Sequence, residues 1–240
     1  MINDYRELLI KALAEDVGSG DHTSLACVDN NVLGRAKLLI KEKGILAGVE
    51  VAKEIFNIVD KDIKYEQLLS DGDDIDKNNI VFIVEGRAQS ILKCERLVLN
   101  FLQRMSGIAT ETRSYVKLLD GLKTKILDTR KTTPNMRFFE KWAVRIGGGQ
   151  NHRMGLYDMI LIKDNHIDYA GGIENAIIRT RKYLKDNNLD LKVEIEARNI
   201  EEVKEIISVG GVDIIMLDNF SVPKIKEALS LINGMYKTEA

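Results

Sequence analysis

The feature that most constrains this chain is a change of rhythm near residue 120. Beyond it, short apolar runs recur, each followed by a segment of helical periodicity. The runs are KTKILDT at 123–129, DMILIK at 158–163, KVEIEA at 192–197 and DIIMLD at 213–218. Between them, Ile173, Ala176, Ile177, Tyr183 and Leu184 line one helical face, and Ile200, Val203, Ile206 and Ile207 line the next. Asn199 and Glu202 have capping-box spacing. A third helix is expected from Ser221 through Leu231. Near-continuous apolar strands that alternate with helices point to a parallel sheet covered on its faces.

The first 110 residues lack that alternation. Tyr5, Leu8, Leu9, Ala12 and Leu13 predict a helix that Asn3 caps and that Gly18 and Gly20 end. Leu33 to Lys41 alternates as a strand. Val49, Ala52, Ile55, Phe56 and Val59 predict a second helix, and Lys64–Leu69 and Ile80–Glu85 two further strands separated by turn residues. A longer helix is expected from about Lys93, through Leu97, Val98, Phe101, Leu102 and Met105, to a break at Gly107. Helices and strands mixed in this way describe an α+β unit.

Polar residues gather at the C-terminal ends of the four later strands. Asp128, Arg130 and Lys131 follow the first, and Lys163, Asp164, Asn165 and His166 the second. Glu196 and Arg198 close the third, Asp218 and Asn219 the fourth. In α/β barrels that edge carries the active site. Strand ends are also simply where solvent begins, but four such ends with both signs of charge favour the functional reading.

Charge says what such a site would take. Between residues 130 and 163 stand seven bases, Arg130, Lys131, Arg137, Lys141, Arg145, Arg153 and Lys163, and only two acids, Glu140 and Asp158. The local sum of +5 sits in a chain of net charge −2. A solvated face interleaves its signs, so an excess of this kind points to an anionic partner. Gly147-Gly148-Gly149 would let backbone amides approach that anion. With aromatic residues at 6% and no groove-binding module, nucleic acid fits less well than a small polyanion, and no nucleic-acid partner is expected. Arginine forks suit the carboxylates and phosphates of a small polyanion.

Several roles stay open. Glu196 and Asp218 could ligate Mg²⁺ beside a phosphate, hold ribose hydroxyls and offset positive charge at a sugar carbon, or pair with lysines. Lys163 could form a Schiff base, as strand-end lysines of class I aldolases do. His152 and His166 are candidate acid–base groups, and His22 reads as structural. Composition adds bounds: 240 residues, 45% apolar and 30% charged, describe a globular protein. The chain has no run of about 18 apolar residues to span a membrane. The N-terminus MINDYRELLI has no apolar signal core, and two cysteines, Cys27 and Cys94, are too few for a disulfide framework. A cytoplasmic location is expected.

Five strings are specific enough to name a family. CERLVLNFLQRMSGIAT at 94–110, DTRKTTP at 128–134, AVRIGGGQNHRMGLYDMILIKDNH at 143–166, VEIEA at 193–197 and DIIMLDNF at 213–220 closely resemble quinolinate phosphoribosyltransferases, with EDVGSGDHTS at 15–24 similar to their N-terminal signature. The resemblance implies an α+β, sandwich-like N-terminal domain over 1–110 and an open α/β barrel over 111–240. It implies that quinolinate and phosphoribosyl pyrophosphate give nicotinate mononucleotide, pyrophosphate and CO₂, with Mg²⁺ as cofactor. By motif, Arg130, His152, Arg153 and Lys163 would bind quinolinate carboxylates and phosphate, and Lys131 would lie near the pyridine and phosphoribosyl groups. Glu196 and Asp218 would hold ribose and metal. Lys131, Lys163, Glu196 and Asp218 are thus the expected catalytic set. Arg96 would reach the partner's site in a homodimer.

The resemblance also implies a longer chain. At roughly 30 residues per βα unit, residues 111–240 supply four or five units, whereas the family's barrel has seven strands. The expectation is a barrel truncated at its C-terminal end, short of two glycine-rich phosphate contacts, which binds poorly or does not turn over. Three alternatives accompany the enzyme: a molybdenum-transport-associated homologue with another substrate, a non-catalytic anion-binding subunit, and a Schiff-base lyase using Lys163.

Overall fold

The computed structural model describes residues 2–240, with side chains from Tyr5 onward, so the cap expected of Asn3 lies outside the described residues. The chain divides into two compact units, Met1–His152 and Arg153–Ala240.

The first unit runs α1 (Ile2–Val17), α2 (His22–Cys27), β1 (Leu33–Leu39), β2 (Gly44–Ile45), α3 (Val49–Val59), β3 (Lys64–Gln67), β4 (Asp74–Ile75), β5 (Ile80–Arg87), α4 (Ala88–Leu118) and α5 (Arg137–Ile146). β5 is the centre of an antiparallel sheet ordered β1-β5-β3, with Val84 opposite both Ala36 and Tyr65. The IVFIV stretch of β5 suits a central strand because β-branched and aromatic side chains fit a pleated, half-buried surface. Val81, Phe82 and Val84 are buried with Ile55 and Phe56 of α3 and with Leu97, Val98 and Phe101 of α4. The Tyr65 and Phe82 rings lie 4.8 Å apart, and those of Phe56 and Phe82 6.0 Å apart at a near-perpendicular angle.

Asp60 ties this sheet to the helices. It closes the C-terminus of α3, takes the Arg87 Nε at 2.8 Å and the Ser90 hydroxyl at 2.8 Å, and is buried. The Arg87 guanidinium, helped by the Ser90 and Asp62 donors, holds its carboxyl down at about 2 against the opposing pull of burial.

Two expectations fail here. α4 does not break at Gly107 but runs on to Leu118, 31 residues in all. Intrinsic propensity at one glycine costs about 1 kcal/mol, and tertiary contacts on both sides outweigh it. Met105 and Ala109 are fully buried, Ser106 bonds both the N–H and the C=O of Ala47, and Thr110 accepts from the Ile45 N–H. The strand expected at 123–129 is reduced to one parallel bridge, Leu127 to Gln150. Lys123, Thr124 and Lys125 are exposed. The ladder stops after the Gln150 N–H to Ile126 and Asp128 N–H to Gln150 bonds. α5, unforeseen in sequence, buries Phe139 against Phe101 at 4.7 Å and stacks Phe138 on Tyr5 at 5.4 Å.

The second unit alternates as read, with a short α6 and a last strand β9 in addition: β6 (Ile160–Ile162), α6 (Asp164–Ala170), α7 (Ile173–Asp186), β7 (Val193–Ala197), α8 (Ile200–Val209), β8 (Ile214–Leu217), α9 (Val222–Ile232) and β9 (Lys237–Glu239). Its four strands are parallel in the order β6-β7-β8-β9. Period-2 alternation sorts the side chains by face. Ile162, Val193, Ile195, Ala197, Ile215 and Leu217 pack with Ile177, Val203 and Ala228 of the helices. Leu161, Glu194 and Ile214 share the opposite face by register, as do Glu196, Met216 and Glu239. The sheet thus spends one face on a core, and the other carries the acids Glu194, Glu196 and Glu239 among apolar neighbours.

Two outcomes test this description. Gly107 is exposed and an added Cβ would meet nothing within 4 Å. Gly107→Ala should therefore stabilise by roughly 0.5–1 kcal/mol, read as a higher urea midpoint. The ionised Asp60 carboxyl, depressed to about 2 in the fold, stabilises above its unfolded value of about 3.9, and the gain is lost as pH falls through the folded value. The stability gap between wild type and Asp60→Asn should be full at pH 7 and shrink steadily in acid; a constant gap refutes it.

Candidate functional site

Each unit carries a polar cluster, built separately. In the first unit the 128–134 loop is tied down at both ends. At its start, the Asp128 carboxylate is paired with Lys141 of α5, whose side chain is 1% exposed. Asp128 Oδ1 also accepts the His152 N–H at 2.9 Å, and Lys141 Nζ donates to the His152 carbonyl at 3.1 Å. With its amide turned to satisfy both neighbours, Asn151 donates from Nδ2 to Asp128 Oδ2 at 2.7 Å and to the Lys141 carbonyl at 2.9 Å. Near its end, Thr133 gives its N–H to Glu140 at 3.2 Å, and Arg104 of α4 binds both Glu140, at 3.0 Å, and the Thr133 hydroxyl, at 2.7 Å. Between these anchors stand Arg130, half-buried, and Lys131, exposed. The Arg130 Nε is buried with no hydrogen-bond partner, an uncommon state for a buried donor.

The triple glycine does something other than expected. All three amides are already used: Gly147 N–H bonds Ala143, Gly148 N–H bonds Arg145 and Gly149 N–H bonds Val144, so they close α5 and offer nothing to an anion. Size explains Gly147 and Gly149, and a left-handed φ of 97° explains Gly148. A Cβ on Gly147 would lie 2.6 Å from the Ala109 carbonyl and 2.7 Å from Thr112 Cβ, and one on Gly149 2.8 Å from Val144. Arg113 Nε then donates to the Gly147 carbonyl at 3.0 Å. Glycine here lets α4 and the end of α5 approach closely.

In the second unit the charged sheet face ends in Lys163, Glu196 and Asp218. Lys163 Nζ is 2.9 Å from Glu196 Oε1, with the lysine side chain 47% exposed and the glutamate nearly buried. Two residues earlier on the same face, Glu194 is fully buried. Asp218 is exposed and accepts the Asn219 amide at 3.1 Å. His166 Nδ1 accepts the Lys163 N–H at 2.9 Å, so it caps α6 and a neutral ring carries its proton on Nε2. Arg153, 9% exposed, donates to the Met159 carbonyl at 3.3 Å. It opens a loop folded round Asp158, which accepts the N–H groups of Met154 and Gly155. Arg198 is held by Glu202 and Asp168 and is structural.

Comparison with known proteins decides the family. The family model of the quinolinate phosphoribosyl transferase N-terminal domain matches residues 21–106, and that of its C-terminal domain residues 108–239. The chain belongs to this family. A chloroplastic nicotinate-nucleotide pyrophosphorylase [carboxylating] of Arabidopsis thaliana is 46% identical over 99% of the chain and 72% of its own length. A probable enzyme of the same name from Bacillus subtilis is 41% identical over 98% of the chain and 80% of its length. The crystal structure of NadC from Streptococcus pyogenes superposes with a TM-score of 0.93 at 40% identity, covering 99% of this chain and 83% of that one. The α+β N-terminal domain and the parallel βα sheet of the C-terminal domain are thus those of the quinolinate phosphoribosyl transferase fold.

The sequence places Lys163, Glu196 and Asp218 at the ends of strands of one sheet, and Arg130 and Lys131 after an earlier strand; that His152 is bonded to Asp128 at the head of their loop is seen only in the structure. Sequence reasoning placed Arg96 on α4, where it is exposed eight residues before Arg104, about 12 Å along the axis. It missed Glu194, which the alternation E-I-E in VEIEA could have revealed. It counted Glu140 only as an acid of the basic window and did not foresee its pairing with Arg104, for which no local signal exists. Gly147→Ala should force α4 and α5 apart and cost about 1–3 kcal/mol, measured by thermal or urea unfolding; an unchanged midpoint would contradict the packing role.

Proposed function

We infer that the chain transfers the phosphoribosyl group of phosphoribosyl pyrophosphate to quinolinate with decarboxylation, giving nicotinate mononucleotide, pyrophosphate and CO₂. It is a glycosyltransferase of the phosphoribosyltransferase type, serving NAD biosynthesis. One observation carries the reading: identity of 46% across 99% of the chain to a nicotinate-nucleotide pyrophosphorylase. The geometry supports it. The orphan Nε of the half-buried Arg130 suits a carboxylate that would complete its bonding. Among the described residues no helix is long and apolar enough to cross a membrane.

We assign Arg130, His152, Arg153 and Lys163 to quinolinate carboxylates and phosphate, and Lys131 to the pyridine and phosphoribosyl groups. The exposed carboxylate of Asp218 and the Lys163-paired carboxylate of Glu196 take ribose hydroxyls. They also face positive charge as the C1–pyrophosphate bond breaks and oxocarbenium character grows. The pyridine nitrogen then bonds C1 and becomes cationic. The neighbouring carboxyl leaves as CO₂, its bonding electrons held on the ring carbon by the adjacent cationic nitrogen until a proton arrives from water. Cationic side chains orient the dianion, and no general base is needed.

Mg²⁺ is part of the proposal. Magnesium takes oxygen ligands, one or two carboxylates beside substrate phosphates, and Glu196 and Asp218 are a donor set of that kind. When bound, it neutralises charge on the departing pyrophosphate. We further place the chain in the cytoplasm, and in a homodimer in which Arg96 enters the partner's site. Its exposure on α4, one turn beyond exposed Leu92, suits an interface.

The lyase alternative is disfavoured by the same ion pair. A Schiff-base lysine is a neutral amine in a desolvated pocket, whereas Lys163 is 47% exposed and paired with Glu196. Lys163→Ala should lower nicotinate mononucleotide formation roughly 100-fold or more, and borohydride should trap no adduct at Lys163. A variant turning over near the wild-type rate overturns the assignment.

A further inference from the structure

Lys141 is a buried cation that the proposed reaction does not use. The sequence counts it among the bases of an anion site, yet its side chain is 1% exposed and its charge is consumed by Asp128. A buried ion pair is a poor stabiliser, because desolvation offsets the attraction and apolar residues of similar size often do as well. What this pair does is better read from where its remaining bonds go.

Those bonds converge on one residue. Asp128 Oδ1 takes the His152 N–H at 2.9 Å, and Lys141 Nζ gives to the His152 C=O at 3.1 Å. Both backbone polar groups of His152 are therefore gripped by the two halves of one charge pair. Asn151 closes the ring through Asp128 Oδ2 and the Lys141 carbonyl. The same acid heads the loop carrying Arg130 and Lys131, and its own N–H bonds Gln150 at 3.2 Å. The bridge beside it, Leu127 to Gln150, is a single rung, too little to fix a register by itself. Side-chain charge replaces the ladder that the segment lacks.

We propose that the Asp128–Lys141 pair is a positioning clamp that sets His152 against the Arg130–Lys131 loop for quinolinate, with Lys141 acting through His152 and touching no substrate. The proposal rests on the functional reading above, since it takes Arg130 and His152 as quinolinate ligands. It predicts a selective defect. Displacing binding groups by about 1 Å can cost 100-fold, and the residue whose backbone the pair grips, His152, is a quinolinate ligand, whereas Lys131, which also faces the phosphoribosyl group, takes no bond from the pair.

The test compares wild type with Lys141→Met and with the double variant Asp128→Asn/Lys141→Met. The double variant removes both charges and so leaves no buried charge unpaired. Quinolinate affinity is measured by calorimetry, KM for each substrate by nicotinate mononucleotide formation, and the imidazole signals of the three histidines by NMR. The expected result is a loss of tenfold or more in quinolinate affinity in both variants. KM for phosphoribosyl pyrophosphate should change by at most about a third of the quinolinate loss, since of the loop only Lys131 faces that substrate, and the His152 signals alone should shift or broaden. A folded double variant that binds quinolinate within twofold of wild type overturns the clamp. So does parallel loss of both substrates, which a merely structural role would give. Wild-type protein that takes up no quinolinate overturns the functional reading instead, and unchanged His152 signals in the double variant would then refute the clamp on their own.

Discussion

A carboxylate withdrawn from water must be met by a cation or by several donors, or it will not stay ionised. That constraint recurs at four places within the two units. Asp60 meets Arg87 and Ser90 where the first sheet joins its helices. Glu140 meets Arg104 where α5 joins α4. Asp128 meets Lys141 at the head of the 128–134 loop, and Glu196 meets Lys163 at the edge of the parallel sheet. In each case the acid and the cation come from different elements, so satisfying the charge also fixes where the elements meet.

The same constraint revises the meaning of the basic segment. An excess of +5 between residues 130 and 163 suggests cations waiting for a ligand. Two of the seven are matched by acids outside the window, Lys141 by Asp128 and Lys163 by Glu196. Arg130, with its buried Nε lacking a partner, is the member that most needs an anion. The excess of charge therefore points to the right class of substrate but overstates by one, the buried Lys141, the groups that would hold it, while the half-exposed Lys163 stays within a ligand's reach.

Glycine shows a similar shift of meaning. Gly147, Gly148 and Gly149 look like an anion nest when only their flexibility is considered. Their amides are spent on the end of α5, and Gly147 and Gly149 have no room for a side chain. Gly107 looks like a helix breaker, yet α4 passes through it because contacts at Met105, Ser106, Ala109 and Thr110 outweigh a propensity cost of about 1 kcal/mol.

The parallel sheet, its helices and the strand-end positions of Lys163, Glu196 and Asp218 were determined by the sequence alone, because apolar periodicity and strand parity are local properties of the chain. So was the family, through strings such as AVRIGGGQNHRMGLYDMILIKDNH. Tertiary structure alone decided which charges pair, since Asp128 and Lys141 are separated by a loop and part of a helix, and Glu196 and Lys163 by two helices. It also decided that 123–129 forms one rung instead of a strand, that α5 exists as the aromatic wedge between Tyr5 and Phe101, and that Gly147 and Gly149 serve packing. Each of these depends on what lies across space, at distances that no window along the chain can sense.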